Sequence, residues 1–135
     1  MYNPKYINLE ADVYQRCVAT AKAYYSLLKR RREIENDIIH AGISADGQPR
    51  GNRVSNPTAQ KAEKILMRQE ENERKIRAVE RANDALSDDC QREFIRLNFY
   101  EGIPIHHINL PMTTISMKRV RKRFLVALAE NLNEI

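Results

Sequence analysis

Apolar residues recur at three- and four-residue steps along two long stretches of the chain, a spacing that predicts amphipathic α-helices. The first stretch runs from about Leu9 to His40, and Asn8 is placed to cap its start. The second runs from Asn56 to about Leu86, with Pro57 at its first helical position, where the missing N–H has no cost. Because neither apolar stripe is sufficient to stabilise a lone helix, we predict that the two helices form a long antiparallel hairpin.

Residues 42–56 separate these two predicted helices. They include three of the four glycines in the chain and one proline, a composition typical of a flexible loop. The loop is longer than most connections between packed helices, and the sequence leaves its role open.

The last third of the chain is divided into shorter elements. Ser87 is placed to cap a helix that ends near Gly102, a residue type that commonly terminates helices. A short helix is predicted over Pro104 to Asn109, and a tight turn follows it. Thr113 is then placed to cap a long last helix that extends to about Leu132.

The last predicted helix has an apolar side and a basic side. The apolar side carries Met117, Val120, Phe124 and Leu128. The candidate DNA-contacting residues are Thr113, Thr114, Ile115, Ser116, Lys118, Arg119, Lys122 and Arg123. Lysine and arginine neutralise phosphates or donate to guanine, hydroxyls contact backbone or bases, and the helix N-terminus favours a phosphate. A basic run taken alone is more typical of a solvated helix surface. Here it follows a short helix, a tight turn and a cap, which is the layout of a helix-turn-helix, and this context favours DNA binding.

Composition and charge agree with this interpretation. Of the 135 residues, 42% are hydrophobic and 30% are charged, and the net charge of +5 favours a polyanionic partner. We therefore predict an all-α protein in two parts. Residues 1–86 form the helical hairpin, which serves oligomerisation or partner contact, and residues 87–135 form a three-helix helix-turn-helix domain that binds double-stranded DNA. Arg121 lies nearer the apolar side, so we expect it to pair with another group rather than contact bases.

Other classes of function find little support in the sequence. Cys17 and Cys90 lack the spacing of a zinc site, so we predict no metal; they are typical of buried thiols, although a disulfide between them is left open. Adjacent His106 and His107 point in different directions on a helix, with no third ligand nearby. Neither a nucleophile–base set nor a phosphate-binding glycine loop is present, so we expect neither an enzyme nor a cofactor. Without a signal peptide or an apolar run long enough for a membrane helix, we expect a cytoplasmic protein.

From Asn56 onward the chain resembles the RinA/ArpU group of phage transcriptional regulators. The resemblance is carried by residues 56–62, by residues 76–82, and by the stretch from Leu86 to Leu132, in which residues 118–125 are similar to the basic recognition helix of the family. The same stretch resembles the promoter-reading C-terminal domain of sigma factors. Departures occur at residues 104–107, where the family has an aromatic–acidic pair, and at Val120, where it has an aromatic residue. The resemblance implies an activator of late packaging and structural genes of a phage or phage-related element. It also implies a place in the cytoplasm of the bacterial host, in association with the nucleoid.

The sequence supports three hypotheses of function. The first is a sequence-specific transcriptional regulator, with host RNA polymerase as a second candidate partner and a homodimer favoured because such proteins often read two half-sites. The second is a DNA-packaging protein similar to a small terminase subunit, although the DNA-binding part of those proteins is usually N-terminal. The third is a regulator that binds polymerase without an operator of its own.

Overall fold

The computed structural model describes residues 8–42 and 56–135 of the chain, with side chains from residue 59 onward in the second range. The predicted loop over residues 42–56 lies outside the described residues except at its two ends. The α-helices are α1 (Ala11–Lys22), α2 (Tyr24–His40), α3 (Asn56–Asp84), α4 (Asp89–Ile95) and α5 (Thr114–Asn131). A π-helical turn covers Arg96–Tyr100 and a 3₁₀ turn covers Ile105–His107. Every regular element in the described ranges is helical, which confirms the predicted all-α class.

The single helix predicted over Leu9 to His40 is wrong, because the chain leaves helical geometry at Ala23, between α1 and α2. The Ala23 amide donates to two carbonyls, those of Ala19 at 3.0 Å and Thr20 at 3.2 Å. The turn therefore tightens locally without losing a backbone hydrogen bond. Since no glycine or proline marks this position, the sequence pattern does not reveal the break.

The described residues divide into two compact units. The first comprises residues 8–25 and 76–135, and the second comprises residues 26–42 and 56–75. The predicted boundary near residue 86 thus falls inside the first unit, because the end of α3 supplies part of the core of that unit.

The first unit is built around α5, which contacts α1, α4 and the 3₁₀ turn. The buried side chains of α5 are Met117, Val120, Phe124, Leu125, Val126, Leu128 and Ala129. They pack with Val13, Cys17 and Ala21 of α1, with Ala78, Val79 and Ala82 of α3, and with Phe94, Ile95 and Phe99. The centre of this core is aromatic, since the ring centroids of Phe99 and Phe124 lie 5.3 Å apart. Residues 124–128 are apolar almost all round, and the neighbouring helices provide the cover that this pattern requires.

The second unit joins parts of α2 and α3. Ile34 of α2 clusters with Ala62 and Ile65 of α3. Nearer the start of α2, the backbone carbonyl of Leu27 accepts from Asn72 Nδ2 at 3.0 Å. Residues later in α2 therefore contact residues earlier in α3, as in an antiparallel pair of helices.

An ion pair adds to these contacts in the second unit. Arg31 donates twice to the carboxylate of Glu73, at 2.7 and 2.9 Å. Such a two-pronged geometry is the arrangement in which an arginine–carboxylate pair is strongest.

Corrections are needed at the starts of two helices. The N-cap of α4 is Asp88 rather than Ser87, and its carboxylate accepts from the Gln91 amide at 2.8 Å. A carboxylate accepts hydrogen bonds at a helix N-terminus more strongly than a hydroxyl, which accounts for the one-residue shift. Similarly, α1 begins after Glu10 with no side-chain cap, and Asn8 lies outside the helix.

The short helix predicted over Pro104 to Asn109 is also wrong, because only the single 3₁₀ turn forms there. The turn ends when Ile108 adopts an extended conformation, with φ −89° and ψ 122°. This conformation places the Ile108 side chain in the core at 9% exposure. The free energy gained by burying this side chain favours the extended conformation over a second helical turn. The predicted stop at Gly102 is confirmed, since its φ of +73° ends the π-helical turn in a conformation that glycine adopts without strain.

Candidate nucleic-acid interface

The start of α5 has the cap that the sequence predicts. The Thr113 hydroxyl oxygen accepts from the Ser116 amide at 3.1 Å, and the hydroxyl donates to Ser116 Oγ at 3.0 Å. One amide of the first turn is thus satisfied within the helix. Thr113 and Thr114 are exposed, so their hydroxyls border the positive end of the helix dipole.

The predicted DNA-contacting residues lie together on the first three turns of α5. Lys118, Arg119 and Arg123 are exposed, and Lys122 is half-buried. Among them stands Ile115, an apolar side chain that is 64% exposed although an apolar core lies on the other side of the helix. This surface therefore combines cations, hydroxyls and one exposed apolar side chain over about three turns.

Several arginines outside α5 form ion pairs, whereas the cations at the start of α5 form none with the described carboxylates. Among the described residues, arginines outside α5 pair with carboxylates at Arg16–Glu134, Arg31–Glu73, Arg68–Asp37, Arg74–Glu71, Arg92–Asp89 and Arg96–Glu93. Residues 118–123 of α5 place five cations in six positions, and none of them has a carboxylate partner within the described ranges. Like charges at this spacing repel one another. The start of α5 is consequently a concentrated positive surface, and no ion pair with a carboxylate of the described residues neutralises it.

Arg121 is held by neutral groups, as its position near the apolar side predicts. Its guanidinium lies 4.9 Å from the ring centroid of Phe99 and 5.5 Å from that of Tyr14. Its Nε donates to Asn98 Oδ1 at 3.2 Å, and another of its nitrogens donates to the Tyr14 hydroxyl. Both hydrogen-bond partners are uncharged, so they hold the guanidinium in place without offsetting its positive charge.

The segment that begins α1 also reaches this surface, a contact that the sequence pattern does not predict. Lys122 Nζ donates to Asn8 Oδ1 at 3.0 Å. Tyr14, on the first turns of α1, contacts Arg121. The sequence favours a helix cap for Asn8, and no local pattern could indicate a partner more than a hundred residues away. Together with the 3₁₀ turn, these residues line a solvent-open cavity of about 440 Å³ against α5.

The cysteines and histidines form neither a disulfide nor a metal site among the described residues. Cys17 and Cys90 are free thiols; the expectation of burial is confirmed for Cys17 and wrong for Cys90, which is half-buried. Burial raises the pKa of the Cys17 thiol, and the nearby carboxylate of Glu134 adds to that effect. His106 and His107 are exposed, with ring centroids 4.4 Å apart. In the parts of the chain that the structure describes, no three metal-ligating side chains gather into a site.

A comparison of the chain with models of protein families, with curated proteins and with solved structures finds no match. Over the described residues, none of the helices combines the length and the apolar character needed to cross a membrane.

Proposed function

We propose that the protein is a sequence-specific regulator of transcription that binds double-stranded DNA through α5. The observation that carries this proposal is the run of five cations at residues 118–123, which lack carboxylate partners among the described residues. A duplex presents two phosphates per base pair, and a protein gains affinity by replacing the counterions of those phosphates with its own cations.

Individual residues of α5 suit different parts of a duplex. Lys118 and Arg119, exposed on the second turn, are placed to donate to guanine O6 and N7 in the major groove. Thr113 and Thr114 lie at the N-terminus of the helix, where a backbone phosphate is favoured. Exposed Ile115 suits contact with a thymine methyl group.

In this proposal the 3₁₀ turn and α5 act as a shortened helix-turn-helix, with α5 as the recognition helix. The paired segments of α2 and α3 act as a hairpin that contacts a second copy or RNA polymerase. The resemblance of residues 56–132 to RinA/ArpU regulators supports late promoters of a phage or phage-related element as the targets. If promoters are the targets, the affinity for a duplex must depend on its base sequence and not only on the positive charge of α5.

The test begins with selection of binding sites for the full chain from a random duplex library. The enriched duplex and a scrambled duplex of the same composition are then compared by fluorescence anisotropy over a series of salt concentrations. We expect the enriched duplex to bind about 10³-fold more tightly, the lower end of the range for specific regulators. Equal affinity for both duplexes, with a steep loss on adding salt, would overturn sequence-specific recognition and leave only a polyanion-binding surface.

Single substitutions locate the contact. We expect Lys118→Ala and Arg119→Ala each to weaken binding to the enriched duplex by about tenfold or more, since one specific contact contributes roughly 1–3 kcal/mol. Arg77→Ala is the matched control, because Arg77 is an exposed cation of the same unit that lies on α3. If Arg77→Ala weakens binding as much as the α5 variants, the assignment of α5 as the recognition helix is wrong.

A further inference from the structure

The cavity between the start of α1, the 3₁₀ turn and α5 has a cationic wall and an apolar wall. Its volume is about 440 Å³, within the range of small-molecule sites. We propose that it binds a small organic anion that has an apolar body, such as an aryl phosphate or an aryl carboxylate. The site belongs entirely to the first compact unit.

The cationic wall consists of Lys118, Arg121 and Lys122. The partners of Arg121 are the Tyr14 hydroxyl and the Asn98 amide oxygen, and Lys122 donates to the Asn8 amide oxygen. These groups orient the cations but neutralise none of their charge. Within the described ranges no carboxylate pairs with any of the three, so an anion placed between them would relieve their mutual repulsion.

The apolar wall consists of Leu9, Ile105 and Leu125, and the ring of Tyr14 lies beside it. A bare inorganic ion would satisfy the cations and leave this wall in contact with water. A ligand with an aromatic or branched aliphatic body would cover it, and each square ångström of apolar surface removed from water contributes about 25 cal/mol. The two walls together therefore select an amphipathic anion over a simple one.

Two of the cavity cations also belong to the surface that we propose for DNA. Lys118 and Lys122 cannot contact DNA and a bound organic anion at the same time. Occupation of the cavity is therefore expected to weaken DNA binding, which would make the site regulatory. This consequence rests on the proposed function, whereas binding of the anion itself does not.

Phenyl phosphate is the probe, and inorganic phosphate and benzyl alcohol represent its two halves. Each is titrated into the full-length protein labelled with nitrogen-15, and amide chemical shifts are followed by nuclear magnetic resonance. We expect phenyl phosphate to shift the amides of Leu9, Ile105 and Leu125 and to bind about tenfold more tightly than either half. Absence of these shifts, or equal binding of inorganic phosphate, would overturn the proposal.

Three single variants make the result specific to the cavity. Lys118→Ala and Lys122→Ala should each weaken phenyl phosphate binding by about fivefold or more, and Arg123→Ala should change it by less than about twofold. Arg123 is the matched control because it is a cation of the same helix that does not line the cavity. Equal losses in all three variants would mean that the anion associates with the whole basic helix, and the proposal would then fail.

A competition experiment separates this proposal from the proposed function. If phenyl phosphate shifts the cavity amides and also displaces the enriched duplex, the cavity is a regulatory site. If it shifts those amides in a protein that binds no duplex, the anion site stands and the DNA-binding proposal falls. If the duplex binds but phenyl phosphate does not shift the amides, the DNA-binding proposal stands and the anion site falls.

Discussion

Replacement of Arg121 by alanine should destabilise the protein, although Arg121 lies within the basic run of α5. The substitution removes two cation–aromatic contacts, with Phe99 and Tyr14, each contributing about 0.5–1 kcal/mol at a partly exposed position. It also removes two hydrogen bonds from a charged donor, which together contribute about 1–2 kcal/mol after allowance for partial exposure. We therefore expect the free energy of unfolding to fall by about 2–4 kcal/mol.

Urea denaturation followed by circular dichroism measures this loss for Arg121→Ala and for two comparison variants. Arg123→Ala removes the same charge from an exposed site and should change the free energy of unfolding by less than about 0.5 kcal/mol. Arg121→Lys keeps the charge but lacks the planar fork, and it should lose about half as much as the alanine variant. If Arg121→Ala and Arg123→Ala prove equally stable, or if the lysine variant matches the natural protein, the structural role assigned to Arg121 is refuted.

Other predictions concern a helix cap, the thiols and the half-buried phenol of Tyr100. Thr113→Ala should lower the free energy of unfolding by about 1 kcal/mol because the Ser116 amide loses its acceptor, whereas Thr113→Ser should not; equal losses would contradict the cap. In the native protein a thiol-specific reagent should modify half-buried Cys90 and spare Cys17 until the protein unfolds, because burial raises the Cys17 pKa; simultaneous modification would count against this core. Burial, reinforced by neighbouring tyrosines and Glu80, raises the pKa of Tyr100 above its ordinary value of 10.0. The phenol therefore contributes stability that is full below about pH 10 and is lost as pH rises towards the folded-state pKa; urea midpoints that stay level or increase across that range would show that the reasoning is wrong.

Local signals predicted α5 well. The Thr113 cap depends on residues three positions apart, and the buried stripe from Met117 to Leu128 follows helical spacing, so both are legible in the sequence. Arg121 could also be assigned to the fold from its place beside that stripe. These features share one property: each is decided within a few residues along the chain.

Features decided by distant contacts were not predicted. The helix break at Ala23 carries no breaker residue, and the 3₁₀ turn is shortened because Ile108 enters a core formed by other helices. The contacts of Asn8 with Lys122 and of Tyr14 with Arg121 join residues more than a hundred positions apart. Periodicity along the sequence carries no information about such pairs, so this part of the candidate site emerges only once the chain is folded.

The π-helical turn at Arg96–Tyr100 has a consequence for how the length of this segment can vary. In this turn the Glu101 amide donates a hydrogen bond to the Arg96 carbonyl, five residues earlier rather than the four of an α-helix. The turn therefore accommodates one more residue than an α-helical turn. Deletion of one residue would regularise the helix but rotate the downstream residues by about 100° around its axis. Phe99 would leave Phe124, and Tyr100 would leave Tyr24, whose ring centroid is 4.6 Å away. The number of residues in this segment therefore determines which aromatic side chains face one another in the core. Related chains should accept substitutions in this segment more readily than insertions or deletions.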